Sequence, residues 1–199
     1  GAFAAGLFVP LSAWLWLGRW RRRARRYAWF VLFAGLVMWW TSLAPRNDRA
    51  WAADVAQLPG VRVESERISF SGVRNFDWRT DEDGTERWEE RSYALADVRG
   101  VDLVLSDWGV PLIVHTILSF EFADGRHLAV SIETRKEQGE GYSALRGFFR
   151  QYELYYVVAD ERDVLGVRAA FRGEHLRLYR LRVAPEAARE LLLGYARRI

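Results

Sequence analysis

Apolar residues change their spacing along the chain, and each change predicts a different kind of element. Gly1–Leu17 and Tyr27–Leu43 contain no charged residue. A helix apolar around its whole circumference is buried in lipid or in a core. Both runs reach the lower limit of length for crossing roughly 30 Å of hydrocarbon. Six Arg lie between them, from Gly18 to Tyr27. Trp14, Trp16 and Trp20 flank one end of this basic stretch, Tyr27 and Trp29 the other, and Trp39 and Trp40 close the second run. Aromatic belts and a short, positive cytoplasmic loop are the marks of spanning helices. The expectation is two transmembrane helices over 1–43 with a cytoplasmic loop at 18–27, and everything after Ser42 outside the cytoplasm. Two buried core helices joined by a basic turn are the alternative. A signal peptide fits less well, because the Arg cluster lies between two apolar runs and not before one.

Residues 44–60 (APRNDRAWAADVAQLPG) read as a linker, with Trp51 at the membrane interface. From Val61 the apolar period is two. VRVESERISF predicts a hairpin around Ser65-Glu66, and Val73–Arg79 continues the alternation. Thr80–Glu86 is a solvated loop with a turn at Asp83-Gly84. Trp88–Leu95 and Val101–Trp108 are strands. Pro111–Gly141 carries the strongest hairpin signal, two β-rich runs around Ala-Asp-Gly-Arg. After Gly141 the period turns helical, with Leu145, Phe148, Phe149 and Tyr152 on one face. Tyr155–Ala159 reads as a strand, Asp160–Gly166 as a short helix or turn, His175–Val183 as a strand, and Ala184–Arg197 as a helix with Pro185 in its first turn. Consecutive strands with flanking helices make 61–199 an α+β domain on an antiparallel or mixed sheet.

Composition changes this picture in two ways. Of 29 basic residues, the six in the Arg stretch set aside, 23 remain against 26 acidic ones. The folded part is therefore slightly acidic, which speaks against nucleic acid as a partner. There is no Cys, so no disulfide or thiol nucleophile lies in these residues, and an oxidising compartment suits them. The chain opens inside an apolar run without Met and stops at the end of a helix, so both ends read as cut.

Candidate chemistry centres on His115, inside the first run of the central hairpin. If Asp124 and Gly125 form a two-residue turn, Ala123 faces Arg126 and His115 faces Thr134. A one-residue bulge would bring Glu133 to that face instead. A base and its orienter need such a meeting; a hydrogen-bonded core histidine is the ordinary alternative. His127 and His175 are weaker candidates, and three scattered His without Cys have no metal-ligand spacing. No phosphate-binding Gly loop or GxSxG elbow occurs. Ser106, Ser119, Ser131 and Ser143 lie outside nucleophile motifs, and Asp81–Asp83 reads as solvated loop. Arg74, Asp77 and Arg79 read as a polar strand face with internal ion pairs.

The stretches RNFDWRT (74–80), VDLVLSDWG (101–109), His115–Arg168 and LYRL (178–181) resemble one bacterial domain. It is the N-terminal periplasmic domain of Lnb-type lipoprotein N-acyltransferases, matched over roughly Pro59–Ile199. The resemblance implies a membrane-anchored thiol acyltransferase, without cofactor, in the bacterial inner membrane with its main domain in the periplasm. Its fold would be part of a papain-like (NlpC/P60-like) domain, permuted so that His precedes Cys. The family His matches His115. The nucleophile lies in an Asn-Cys-Thr segment beyond the helix that begins here at Pro185, so these residues carry the base without its nucleophile and should not transfer acyl groups alone. Glu133 and Thr134, in SIETRK, match family positions and are read as orienters of His115. The implied partners are a phospholipid acyl donor and the N-terminus of a lipoprotein. A non-catalytic, membrane-anchored binding or scaffold domain, with His115 structural, is the second reading.

Overall fold

The structure, a computed structural model, describes residues 2–17, 22–109, 114–141, 143, 146–147 and 151–199. The chain divides into two compact units, Gly1–Ala50 with Thr134–Leu154, and Trp51–Glu133 with Tyr155–Ile199.

In the first unit the two apolar runs are helices, α1 (Ala2–Leu17) and α2 (Arg22–Ser42). Phe8 of α1 meets Trp29 of α2 at 6.3 Å between ring centroids, and Trp29 stacks on Phe33 at 5.2 Å. Among the described residues no helix is long and apolar enough to cross a membrane. The physical reasons differ. At 16 residues, α1 is about 24 Å long at 1.5 Å per residue. By contrast α2 has 21 residues but opens with Arg22, Arg23, Arg25 and Arg26. Arginine is a good helix former, so the second half of the basic stretch is helix and not loop. Positions 18–21, with Trp20, lie outside the described residues, as does the side chain of Trp16. Beyond α2 the chain is tied down by polar contacts. Arg49 pairs with Glu137 at 2.5 Å and with Glu153 at 3.4 Å, and Gln138 N–H donates to the Ala50 carbonyl at 2.8 Å. Leu145, Phe148 and Phe149 of the expected apolar helix face also lie outside the described residues. Tyr152, the fourth, is buried and donates its hydroxyl to the Gly141 carbonyl at 2.8 Å.

The second unit is built on a mixed sheet. Its strands are β1 (Gly60–Val63), β2 (Arg67–Arg74), β5 (Trp88–Ala94), β6 (Val98–Asp107), β7 (Val114–Phe122), β8 (His127–Arg135), β9 (Glu153–Asp160) and β10 (His175–Arg180). The order is β1-β2-β9-β8-β7-β6-β10, with β5 paired to β2. A separate ribbon joins β3 (Asp77–Trp78) to β4 (Gly84–Thr85). The β2–β9 pairing is parallel, while β1–β2, β2–β5, β6–β7, β7–β8 and β6–β10 are antiparallel. Both sheet faces are buried, so successive residues alternate between two cores. Val104, Ile117, Ala129, Val157 and Ala159 pack with Val164 of α3 (Glu161–Ala170). On the other face Phe70, Val101, Phe120, Leu128, Val130 and Val158 pack with Ala188 and Leu192 of α4 (Pro185–Ala196). Asp160 caps α3 by accepting from Arg162 N–H at 3.0 Å, and Pro185 opens α4.

Two expectations are corrected here. Trp51 is not at an interface; at 8% exposure it packs in the core with Val55. Val73–Arg79 does not form one strand. The chain leaves the sheet after Arg74, because the Asp163 carboxylate of α3 collects that whole corner. It accepts the Phe76 amide at 2.7 Å, the Trp78 indole N–H at 2.9 Å and the Arg74 guanidinium at 3.1 Å. Asp77 and Arg79 do pair locally, with Arg87 at 2.6 Å and Asp83 at 2.7 Å.

Candidate functional site

The turn of the β7–β8 hairpin sets the register of the site. Phe122 N–H donates to the Arg126 carbonyl at 3.0 Å and Gly125 N–H to the Phe122 carbonyl at 2.9 Å. The turn is therefore three residues, Ala123–Gly125, with Gly125 at φ +80°, a conformation that glycine adopts without a Cβ penalty. Phe122, and not Ala123, faces Arg126. Ile117 pairs with Ser131, so the face that carries His115 also carries Ser131 and Glu133. This is the bulged alternative of the sequence reading. Thr134, the partner expected from a two-residue turn, alternates to the opposite face of the strand.

His115 Nε2 lies 2.7 Å from Ser131 Oγ and 3.1 Å from Glu133 Oε1. Ser131 Oγ–H donates to the same Glu133 oxygen at 2.8 Å. Arg168, in the last turn of α3, donates Nη2–H to it at 2.5 Å. The other terminal nitrogen, Nη1, donates to Glu174 at 2.9 Å and 3.2 Å, and Ser106 Oγ–H also donates to Glu174. Glu174 reaches this point because α3 ends in a tight reversal. Arg172 N–H bonds the Val167 carbonyl at 3.0 Å, Gly173 takes φ +64°, and Glu174 N–H returns to the Arg168 carbonyl at 3.0 Å.

Depth grades this cluster. The side chains of Arg168 and Glu174 are 4% and 1% exposed, those of His115 and Glu133 19% and 21%. Burial opposes charge on Glu133, but the His115 hydrogen bond and the Arg168 guanidinium outweigh it and hold the carboxyl far below its ordinary range. Burial likewise works against Arg168, and the charges of Glu133 and Glu174 more than compensate, raising it. Arg172 goes the other way, depressed by burial and then by the like charge of Arg168.

An ionised carboxylate only accepts, so the network assigns the ring proton of His115 to Nε2. In the neutral ring Nδ1 then keeps its lone pair. The arrangement is an oriented base able to receive a proton at Nδ1. Ser131 does not fit the part of nucleophile, since it is buried, sits at Nε2 and gives its proton to Glu133. His127 lies apart, with Nδ1 3.1 Å from Glu161, and His175 is exposed, 3.5 Å from Asp107. No group of three or more His, Asp or Glu among the described residues is placed to hold a metal ion.

Residues 84–198, more than half of the chain, match the family described as the Lnb N-terminal periplasmic domain. The chain belongs to this family. The matched span of the Lnb N-terminal periplasmic domain holds the whole cluster, from Ser106 to Glu174. The RNFDWRT stretch at 74–80 lies before it. No curated protein and no solved structure matches the chain. Four members of the cluster, Ser106, Ser131, Arg168 and Glu174, were missed as such in the sequence. Ser131 carried a usable signal, standing two residues from Glu133 on a strand and so on the same face. Ser106, Arg168 and Glu174 carried none, because Arg168 meets Glu133 across 35 positions and Glu174 meets Ser106 across 68.

Proposed function

We propose that this Lnb N-terminal periplasmic domain provides the general base of a thiol acyltransferase that N-acylates lipoproteins. One observation carries the reading: Nε2 of His115 is held by Glu133 and Ser131, which leaves Nδ1 as the proton acceptor. The nucleophile is the Cys of the Asn-Cys-Thr segment that the resemblance places after α4, in a papain-like arrangement where His precedes Cys. The thiol passes its proton to His115 Nδ1. The thiolate attacks the ester carbonyl of a phospholipid, and a thioester forms as the lysophospholipid alcohol leaves with the proton from the imidazolium. The amine of a lipoprotein's N-terminal Cys then attacks the thioester. An amide forms and the thiol is regenerated. Glu133 orients the imidazole; Thr134, on the other strand face, has no comparable support for that role.

Membrane anchorage through α1 and α2 belongs to the same proposal. It is supported by the exposure of Val9, Phe30, Val31 and Met38 on these helices, surface that lipid would cover. The second reading is a non-catalytic binding or scaffold module with a structural His115, and it draws on the bonds that Ser131 and Glu133 give Nε2, which a satisfied core histidine would also make. The deciding experiment uses a chain that extends through the Asn-Cys-Thr segment. His115→Ala should lower lipoprotein acylation by several orders of magnitude while the melting temperature stays near wild type. Wild-type specific activity in the folded variant removes the base assignment and leaves the scaffold reading.

A further inference from the structure

We propose that Arg168 is the positioning residue of this site: clamped by Glu174, it fixes the Glu133 carboxylate and through it the orientation and tautomer of His115. Only the catalytic consequence rests on the acyltransferase reading; the positioning stands on the contacts.

A glutamate on a strand has three rotatable bonds; His115 reaches Glu133 from β7 and the buried Ser131 from β8 itself. Arg168 approaches from the interior. Its guanidinium is planar, so fixing one end of the fork fixes the other. Nη1 is bonded to both oxygens of Glu174, and Glu174 is itself held by Ser106. Ser106 on β6 is the register partner of His115 on β7. The chain of contacts therefore starts and finishes at one cross-strand pair, passing through β8 and the end of α3 on the way. Nε of Arg168 is buried without a hydrogen-bond partner. A side chain placed only to satisfy its own donors would not leave one orphaned; the two carboxylates decide where the fork sits. A lysine ammonium is a single point on a flexible stem and cannot span both carboxylates in this geometry.

The test is nitrogen NMR of the three histidines in the 199-residue chain in detergent, with His127→Gln and His175→Gln used for assignment. Long-range proton–nitrogen couplings separate the Nε2–H from the Nδ1–H tautomer when the ring is neutral. Wild-type His115 should be Nε2–H. In Arg168→Lys it should become a mixture of the two tautomers, and Arg168→Gln should lose the preference further. Melting temperatures are taken alongside, and if Arg168→Gln does not fold, Arg168→Lys decides. In the chain with its nucleophile, Arg168→Lys should lower kcat roughly tenfold to a hundredfold with KM unchanged. An Nδ1–H wild type, or an unchanged Nε2–H population in folded Arg168→Lys, overturns the positioning role whatever the enzyme does. Tautomer loss combined with full activity of His115→Ala overturns the acyltransferase reading and leaves the positioning role intact.

Discussion

Replacing Asp163 by Ala should unfold most of what holds the β2 corner. Asp163 is 1% exposed and Arg74 5%. The guanidinium lies 3.1 Å from the carboxylate, which also takes the Phe76 amide at 2.7 Å and the Trp78 indole N–H at 2.9 Å. Without the carboxylate, Arg74 retains its bond to the Asp54 carbonyl at 3.0 Å and its position over the Phe76 and Trp78 rings. Removing one partner of a buried pair costs about 3–5 kcal/mol, and each orphaned neutral donor about 1–3 kcal/mol more. Trp78 is only half-buried and water can replace its acceptor, so with the Phe76 amide alone counted the expected loss is about 4–8 kcal/mol. That is a large share of the roughly 5–15 kcal/mol that stabilises a domain. The assay is urea unfolding in detergent followed by tryptophan fluorescence, comparing wild type, Asp163→Ala, and the double variant Arg74→Met with Asp163→Leu. The double variant should recover much of the loss, because an apolar pair of similar volume replaces a buried ion pair at little cost. A loss below about 1 kcal/mol in Asp163→Ala would refute the reasoning.

Glu133 predicts an acid limb of stability. Its folded carboxyl is held below its unfolded value, so its contribution is fully present above the unfolded pKa of roughly 4.3 and drains as pH falls towards the folded value. In thermal melts Glu133→Gln should flatten that limb between about pH 5 and 2; an unchanged limb contradicts the network. Topology is checked by a reporter fused after Ile199, which should be active only as an extracytoplasmic fusion; cytoplasmic activity would reverse the orientation read from the arginines.

How far the sequence could be read depended on the range of the interactions. β1 and β10 were legible from the alternation of apolar and polar residues, β5, β6 and β9 as β-rich runs between turns, and α4 from Pro185 and its Ala, Glu and Leu content. The hairpin was legible but its turn was not. Asp124-Gly125 has the chemistry of a two-residue turn, and the backbone includes Ala123 as well, which moves every partner of β7 by one residue. That single step exchanged Thr134 for Glu133 at His115. The DERDVLG stretch read as a short helix or turn but did not show the role of Asp163, whose partners Arg74, Phe76 and Trp78 lie 89, 87 and 85 positions earlier in the chain. Arg168 and Glu174 were hidden for the same reason. The helix start at Arg22 was missed because charge marked the stretch as a loop, while arginine's backbone preference is helical.

The parallel contact where Arg74 of β2 meets Ala159 of β9 has a kinetic meaning. The β6–β7–β8 meander joins neighbours in the chain, and closing short loops carries a small entropic cost. Bringing β2 to β9 closes a loop that contains almost the whole meander, and non-local pairing of this kind is slow. His115 and Glu133 thus belong to the portion of the molecule that can assemble early and on its own connectivity. Arg168 and Glu174 reach them only when β9 has delivered α3 to the sheet. On that ordering His115 and Glu133 are expected to meet before Arg168 and Glu174 close on them, and φ-values measured on β7 and α3 would test it.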